Sequence, residues 1–171
     1  MPTYNLPDPS GRTPRDNCVA CVSACLLYEI QRIFWTAQDL DGLHHITQRM
    51  RGSEDPVTAM RRAVQLIQEA TGLRVVPNEA GRPFRHVRFN DLPEGHYAIF
   101  DLGPRSTSAL IEEPETVVFH VIYGRARDYR DRRRVRPSKE LSSLFDPQAS
   151  AVRHIGNLGE PSYAVQFEGP A

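Results

Sequence analysis

Cysteine, tryptophan and long apolar runs are all scarce in this chain of 171 residues. There are three cysteines, an odd number, and all of them fall within the stretch "CVACVSAC". This argues against a framework of disulfides and favours reduced thiols in a reducing compartment. No stretch approaches the ~20 apolar residues of a transmembrane helix. The first residues, "MPTYNLPDPSGRTPRD", lack the apolar core of a secretory signal.

The chain also has no excess of either charge, with 21 basic and 21 acidic residues. This balance argues against a general nucleic-acid binder, because neutralising phosphates requires a cationic surface. One stretch, "RARDYRDRRRVRP" at residues 125–137, is strongly basic, although Asp128 and Asp131 interrupt it. We interpret it as a solvated hairpin. The alternatives are a contact for an acidic partner and a nucleic-acid enzyme that uses the cluster Arg125–Arg136.

Proline separates a tail from a single predicted domain. Residues 1–16 are rich in proline, which excludes regular helix, and residues 17–171 fit one domain. Helices are predicted first. Residues 18–35 carry apolar side chains at gaps of three and four. Residues 55–72 begin with Asp-Pro and end with Gly, and between them Val57, Met60, Val64 and Ile67 form a predicted apolar stripe. A shorter helix is predicted at 40–50.

The second half of the chain changes to β-branched and aromatic stretches that are separated by glycine and proline, which predicts strands. These strands are predicted at residues 73–76, 96–102, 108–113, 116–124 and 163–168. The segment "LSSLFDPQ" at 141–148 predicts a last turn or a short strand. Because helices precede strands, we expect an α+β fold with an antiparallel sheet.

The three cysteines lie on one side of the first predicted helix, at positions i, i+3 and i+7. Structural zinc usually takes four ligands in pairs from different segments, and the scattered histidines supply no such pairs, so we predict no metal. Cys21 and Cys25 are interpreted as packing residues. Cys18 is the first helical residue, where free N–H groups and the helix dipole favour a thiolate. A nucleophile and a small core residue are both open interpretations for Cys18.

A thiol nucleophile needs a histidine as its base and a group that orients the ring. His120 lies inside the apolar strand "VVFHVIYG", where it is either the base or a satisfied core residue. Asp146 follows an apolar pair at a strand end and can accept a hydrogen bond from His120 if the two strands are neighbours; a plain Asp-Pro turn is the alternative. His96, at the start of "HYAIFDLG", is the reserve base.

The order "NCVACVSACL", "VVFHVIYGR" and "FDPQ" resembles the papain-like-fold toxin domains of bacterial polymorphic toxins and the related glutamine deamidase effectors. The resemblance covers residues 17–148. It implies a papain-like fold, with the cysteine at a helix N-terminus packed on an antiparallel sheet, and a triad of Cys18, His120 and Asp146. Asn17 is the nearest side-chain amide for an oxyanion hole, and Gln148 is a further supporting position.

The resemblance also implies a function. It predicts a secreted effector that acts in the cytosol of a target cell and deamidates a glutamine of a target protein without a cofactor. A cognate immunity protein is the second expected partner; nucleic acid and membrane are not expected. A cysteine protease and a transglutaminase are alternatives that use the same thioester chemistry. A non-catalytic binding module is an alternative of another class, and an unreactive Cys18 thiol would favour it.

Overall fold

The computed structural model describes residues 18–35, 56–87, 92–101, 120–129, 138–146, 151–153 and 162–170. Side chains are described for these residues except 18, 120, 128–129, 138–146 and 151–153. The described part contains two helices, α1 (Cys18–Gln31) and α2 (Pro56–Thr71). It contains seven strands, namely β1 (Arg74–Val76), β2 (Arg85–His86), β3 (Gly95–Asp101), β4 (His120–Tyr129), β5 (Ser138–Asp146), β6 (Ala151–Arg153) and β7 (Ser162–Glu168).

The seven strands form one sheet. Its order is β1-β7-β3-β4-β5-β6, and β2 pairs with β7 outside this path. Every pairing among the described strands is antiparallel. Two helices and an antiparallel sheet confirm the predicted α+β class.

The side chains of the central strands alternate between two apolar clusters. One cluster joins α1 and α2 to the sheet and contains Ala98, Phe100, Val121 and Tyr123. The other contains their neighbours Tyr97, Ile99, Ile122 and Ala126, together with Leu92 and Ala164. This alternation follows from the two-residue period of a strand, which sends successive side chains to opposite faces. The centre of the sheet is therefore covered on both faces, and α1 lies on only one of them.

Helix α1 is buried along most of its length. Every residue from Val19 to Leu27 is buried, which suits a helix that lies against β3, β4 and α2. Ser23 satisfies its buried hydroxyl by donating to the Val19 carbonyl at 2.7 Å. The helix ends at Gln31 because Arg32 is left-handed, with φ 58°, and its N–H donates to the Tyr28 carbonyl. It is thus shorter than predicted.

Helix α2 follows its prediction more closely. Gly72 ends it in a left-handed conformation, with φ 71°, and donates its N–H to the Gln68 carbonyl. Met60, Val64 and Ile67 of the predicted apolar stripe are buried, but Val57 is 47% exposed. Its assignment to the stripe was wrong, because the buried residues of α2 begin only at Ala59 and the first turn lies outside the core.

The β4–β5 pair extends beyond the predicted strands. β4 continues to Tyr129, so the start of the basic stretch is strand, with Ala126 buried and Arg127 exposed. β5 spans Ser138–Asp146, whereas the sequence predicted only a turn or a short strand at 141–148. Strands β2 and β6 were not predicted. The predicted helix at 40–50 and the predicted strand at 108–113 lie outside the described residues.

Candidate active site

Cys18 is the first residue of α1, a helix of 14 residues. The N–H groups of the first helical turn have no partner within the helix, and the helix dipole places partial positive charge there. Both effects stabilise a thiolate relative to a thiol. The first turn of α1 holds no acidic residue that would oppose this effect.

The two other cysteines belong to the core. Cys21 and Cys25 are both fully buried and neither forms a disulfide. Burial, with the charge of Glu29 as the second cause, raises the pKa of the Cys25 thiol well above its ordinary value. Their interpretation as packing residues is confirmed, which leaves Cys18 as the candidate nucleophile.

The direction of α1 across the sheet follows from contacts near its C-terminal end. Ile30 and Gln31 approach Gly169, which directly follows β7. Burial and then the charge of Arg125 lower the pKa of His96 on β3, and Arg32 lies close enough for its charge to add to this effect. The helix therefore ends near the first residues of β3. At a rise of about 1.5 Å per residue, Cys18 lies about 20 Å from this end.

Register places the first residue of β4 at the opposite end of the sheet from His96. His120 pairs with Asp101, the last residue of β3, whereas His96 pairs with Arg125. These two ladder positions are five residues apart along β3, or about 17 Å. Because α1 ends near His96, it begins toward the end of the sheet that contains His120.

A contact in the middle of α1 gives the same result. Cys25 and Tyr123 share one core cluster. Burial and then Glu29 raise the pKa of the Tyr123 hydroxyl, and Cys25 lies close enough to add to this effect. From Cys25 back to Cys18 is about 10 Å along the helix. From Tyr123 back to His120 is also about 10 Å along the strand. The structure thus brings the backbones of Cys18 and His120 to the same end of the molecule.

Asp146 is the last residue of β5, which pairs with β4. The condition on which its predicted role depends, that its strand neighbours the His120 strand, is met. The ladder pairs Tyr123 with Phe145, which sets Asp146 level with Ile122, two residues beyond His120. Asn17 and Gln148, the predicted supporting residues, lie outside the described residues.

His96 has a different environment. Its Nδ1 shares a hydrogen bond of 2.7 Å with the Tyr123 hydroxyl. Burial, followed by the charges of Arg125, Arg32 and Arg127, lowers the pKa of His96 to about 4. The ring is therefore neutral at neutral pH. Since His96 lies where α1 ends, the structure does not bring this reserve base next to Cys18.

Two groups near these positions were not predicted from the sequence. Asp101 is 3% exposed and lies in register between His120 on β4 and Ser162 on β7. The hydroxyl of Tyr123 is the partner of His96. Alternation along "HYAIFD" and "HVIYGR" decides only which residues share a face, so the pairing of Asp101 with His120 could not be found from the sequence.

Two kinds of feature are absent from the described part of the chain. No three histidine, cysteine, aspartate or glutamate side chains cluster there in a way that could hold a metal ion. Among the same residues, no helix is both long enough and apolar enough to cross a membrane.

Comparisons with protein-family profiles, with curated proteins and with solved structures found no match to this chain. The resemblance to papain-like toxin domains therefore depends on the residues quoted above.

Proposed function

We propose that this protein is a cysteine-dependent amidohydrolase with a papain-like arrangement, in which Cys18 is the nucleophile and His120 the base. One feature of the backbone supports the proposal: α1 contacts β4 and ends near the first residues of β3, so it begins with Cys18 toward the end of the sheet where β4 begins with His120. A helix N-terminus beside a histidine strand supplies both the electrostatic stabilisation of a thiolate and a group to exchange its proton.

The reaction has two stages. His120 takes the proton of Cys18, and the thiolate attacks the carbonyl carbon of an amide. Backbone N–H groups at the start of α1, with the Asn17 amide, stabilise the oxyanion. The tetrahedral intermediate then collapses, and the leaving nitrogen departs with the proton from the imidazolium. A water molecule, deprotonated by His120, hydrolyses the thioester and regenerates the thiol.

The alternation of β4 sets a requirement for this mechanism. Val121 and Tyr123 pack on the face that carries α1, whereas Ile122 packs on the other face. Position 120 has the alternation of Ile122. The mechanism therefore requires the His120 imidazole to reach Cys18 from a position on the face opposite α1, and loss of Cys18 reactivity in His120→Ala would meet this requirement.

The proposed substrate is a glutamine side chain of a target protein, and the proposed product is glutamate with release of ammonia. The resemblance supports this choice, together with a role as a secreted effector that acts in the cytosol of a target cell and is held inactive by an immunity protein. A peptide bond in place of the glutamine amide gives a cysteine protease. An amine in place of water gives a transglutaminase.

A proteome-wide mass measurement tests this proposal. Cell lysate is incubated with the wild-type protein or with the variant Cys18→Ser, and the tryptic peptides are compared. We expect glutamine-to-glutamate conversion at a restricted set of sites with the wild type and none with Cys18→Ser. The variant Cys25→Ala serves as a matched control, because it removes a buried thiol and should retain the conversion.

Other products would identify the other enzymes of the same chemistry. New peptide termini would indicate a protease instead of a deamidase, and cross-linked peptides would indicate a transglutaminase. Identical peptides from the wild type and Cys18→Ser, with equal thiol reactivity at Cys18 and Cys25, would contradict an enzyme. That result would favour a binding module with Cys18 as a core residue.

A further inference from the structure

We infer that the C-terminal end of α1 is a docking surface for an acidic segment of a partner protein. We call this surface the α1 C-terminal patch, and it consists of Tyr28, Arg32, Ile33 and Phe34. The inference does not depend on the proposed function, because the patch lies at the opposite end of α1 from Cys18, about 20 Å away.

Two large apolar side chains are exposed just after α1 ends. Ile33 is 47% exposed and Phe34 is 59% exposed. The Phe34 ring meets the half-buried Tyr28 ring edge-on, with the two centroids 6.2 Å apart. A single exposed apolar residue, such as Val57 on α2, is ordinary for a protein surface. Adjacent apolar side chains beside an arginine are instead typical of a contact site for another protein.

The backbone of Arg32 holds a cation within this patch. Arg32 has φ 58°, a left-handed conformation that is unfavourable for a residue with a Cβ. A glycine would end the helix there without strain, so the advantage of arginine lies in its side chain. The guanidinium lies over the Tyr28 ring, with Cζ 5.4 Å from the ring centroid. Tyr28 therefore contacts Arg32 and Phe34 at once, which places the cation beside the exposed aromatic ring.

The charges next to the patch favour an acidic partner. Burial and then the charge of Arg125 lower the pKa of His96 to about 4, and the charges of Arg32 and of the exposed Arg127 add to this effect. All three charges that shift this pKa are therefore positive. Glu29 on α1 and Glu140, the register partner of Arg127, oppose them only in part, since the net effect of charge on His96 is to lower its pKa.

An acidic segment that carries an apolar side chain fits this patch. A guanidinium can hold a carboxylate with two parallel hydrogen bonds, and an apolar side chain can cover Ile33 and Phe34 and remove them from water. A nucleic acid fits less well. Ile33 offers no ring on which a base could stack, and the chain as a whole has no excess of positive charge.

Selection of phage-displayed random peptides on the wild-type protein tests this inference. We expect the selected peptides to be rich in aspartate and glutamate and to contain an apolar residue, and their affinity should decrease as salt is raised. Phe34→Ala and Arg127→Glu should each weaken binding at least about fivefold. Val57→Ala and Arg61→Glu are the matched controls, because they change an exposed apolar residue and an exposed arginine of α2.

The variant Arg32→Gly separates a binding role from a structural one. Because glycine adopts a left-handed conformation without strain, this variant should keep or raise the denaturation midpoint while binding falls at least about fivefold. A lower midpoint with unchanged binding would show that Arg32 only ends the helix, and it would overturn the inference. The alkylation rate of Cys18 should match the wild type in every variant of the patch, so the result is independent of the proposed function.

The inference is overturned if selection yields no peptides or peptides without acidic residues. It is also overturned if acidic peptides bind Phe34→Ala as tightly as the wild type. A labelled single-stranded oligonucleotide that binds more tightly than the peptides and is weakened by Arg127→Glu would assign the patch to nucleic acid instead. Amide NMR shifts of the wild-type protein locate the bound peptide. Shifts confined to residues 28–34 and 125–127 support the inference, whereas shifts elsewhere contradict it.

Discussion

Each end of the β3–β4 ladder carries a histidine, and the register partners of the two histidines have charges of opposite sign. His96 pairs in register with Arg125 and lies near Arg32 and Arg127. His120 pairs in register with the buried carboxylate Asp101. An imidazole among cations is kept neutral, whereas a carboxylate stabilises its charged form. Only a carboxylate neighbour, such as the register partner of His120, suits a histidine that must hold a proton beside a thiolate.

Helix α1 connects the two ends. It begins with Cys18 on the side of His120 and ends at Gln31 on the side of His96. Between them lies a fully buried core segment that includes Cys21 and Cys25. The position of a cysteine along α1 therefore decides whether its thiol can react. Each of the following experiments changes a residue at one end of the β3–β4 ladder or in the buried segment of α1.

The largest effect is expected for thiol reactivity. Iodoacetamide at neutral pH should label Cys18 about 100-fold faster than Cys25, because a helix N-terminus favours the thiolate while burial raises the pKa of Cys25 and blocks access. Intact mass followed by peptide mapping measures both rates. Cys25→Ala should keep the fast adduct and Cys18→Ser should lose it. Equal labelling rates at Cys18 and Cys25 would contradict the expected difference in thiol reactivity between the start of α1 and its buried middle.

Shortening a side chain in the buried segment of α1 should destabilise the whole protein. Leu26 is fully buried in the cluster that joins α1 to the sheet. Leu26→Ala should lower the free energy of unfolding by about 2–5 kcal/mol, because it leaves a cavity in that cluster. Chemical denaturation measures the loss. The exposed Val57 gives a control, since Val57→Ala should change stability by less than about 0.5 kcal/mol. Similar losses in the two variants would show that α1 is not the central support.

The sequence predicted much of this scaffold because local chemistry decides it. The Gly72 terminus of α2 and the apolar centre of β3 follow from a left-handed glycine and from strand composition, and α1 starts at residue 18, where the sequence predicted a helix to start. The early end of α1 could not be predicted, because Arg32 adopts a left-handed conformation that arginine seldom takes.

The two histidine environments were harder to predict, because they depend on register. The sequence identified His96 and His120 as candidate bases without showing which of them lies opposite an arginine and which opposite a carboxylate. That distinction appears only when β3 and β4 are paired. Burial of Asp101 between β4 and β7 likewise results from strand order, because β7 comes from the far end of the chain.

His96 should make the protein less stable as the pH is lowered. Its pKa is about 4 in the folded protein and about 6.5 ordinarily, so the unfolded chain binds the proton more readily between these values. The stabilisation present above pH 6.5 is therefore lost progressively as the pH falls toward 4. Denaturation midpoints across this range should decrease less steeply in His96→Gln than in the wild type. His86→Gln, at an exposed histidine, controls for loss of an imidazole. Equal slopes in wild type and His96→Gln would contradict a half-buried ring that is kept neutral.

The smallest effect is expected from removing one cation near His96. Arg125 is the largest charge contribution that lowers the pKa of this ring. Arg125→Gln should therefore raise the pKa of His96, although burial should keep it below its ordinary value. NMR titration measures the change. Arg61→Gln, at an exposed position of α2, is the matched control. A pKa of His96 that Arg125→Gln lowers or leaves unchanged would show that the arginines do not determine its charge state.

The alkylation rate of Cys18 in the two histidine variants tests our central claim most directly. Wild type, His120→Ala and His96→Ala are treated briefly with iodoacetamide near neutral pH, and the adduct at Cys18 is quantified by mass spectrometry. Our proposal predicts that His120→Ala slows the reaction about tenfold or more, because the thiolate loses its ion-pair partner, while His96→Ala reacts like the wild type. A slow reaction in His96→Ala with a normal rate in His120→Ala would contradict the proposal and assign the base to the other end of the sheet.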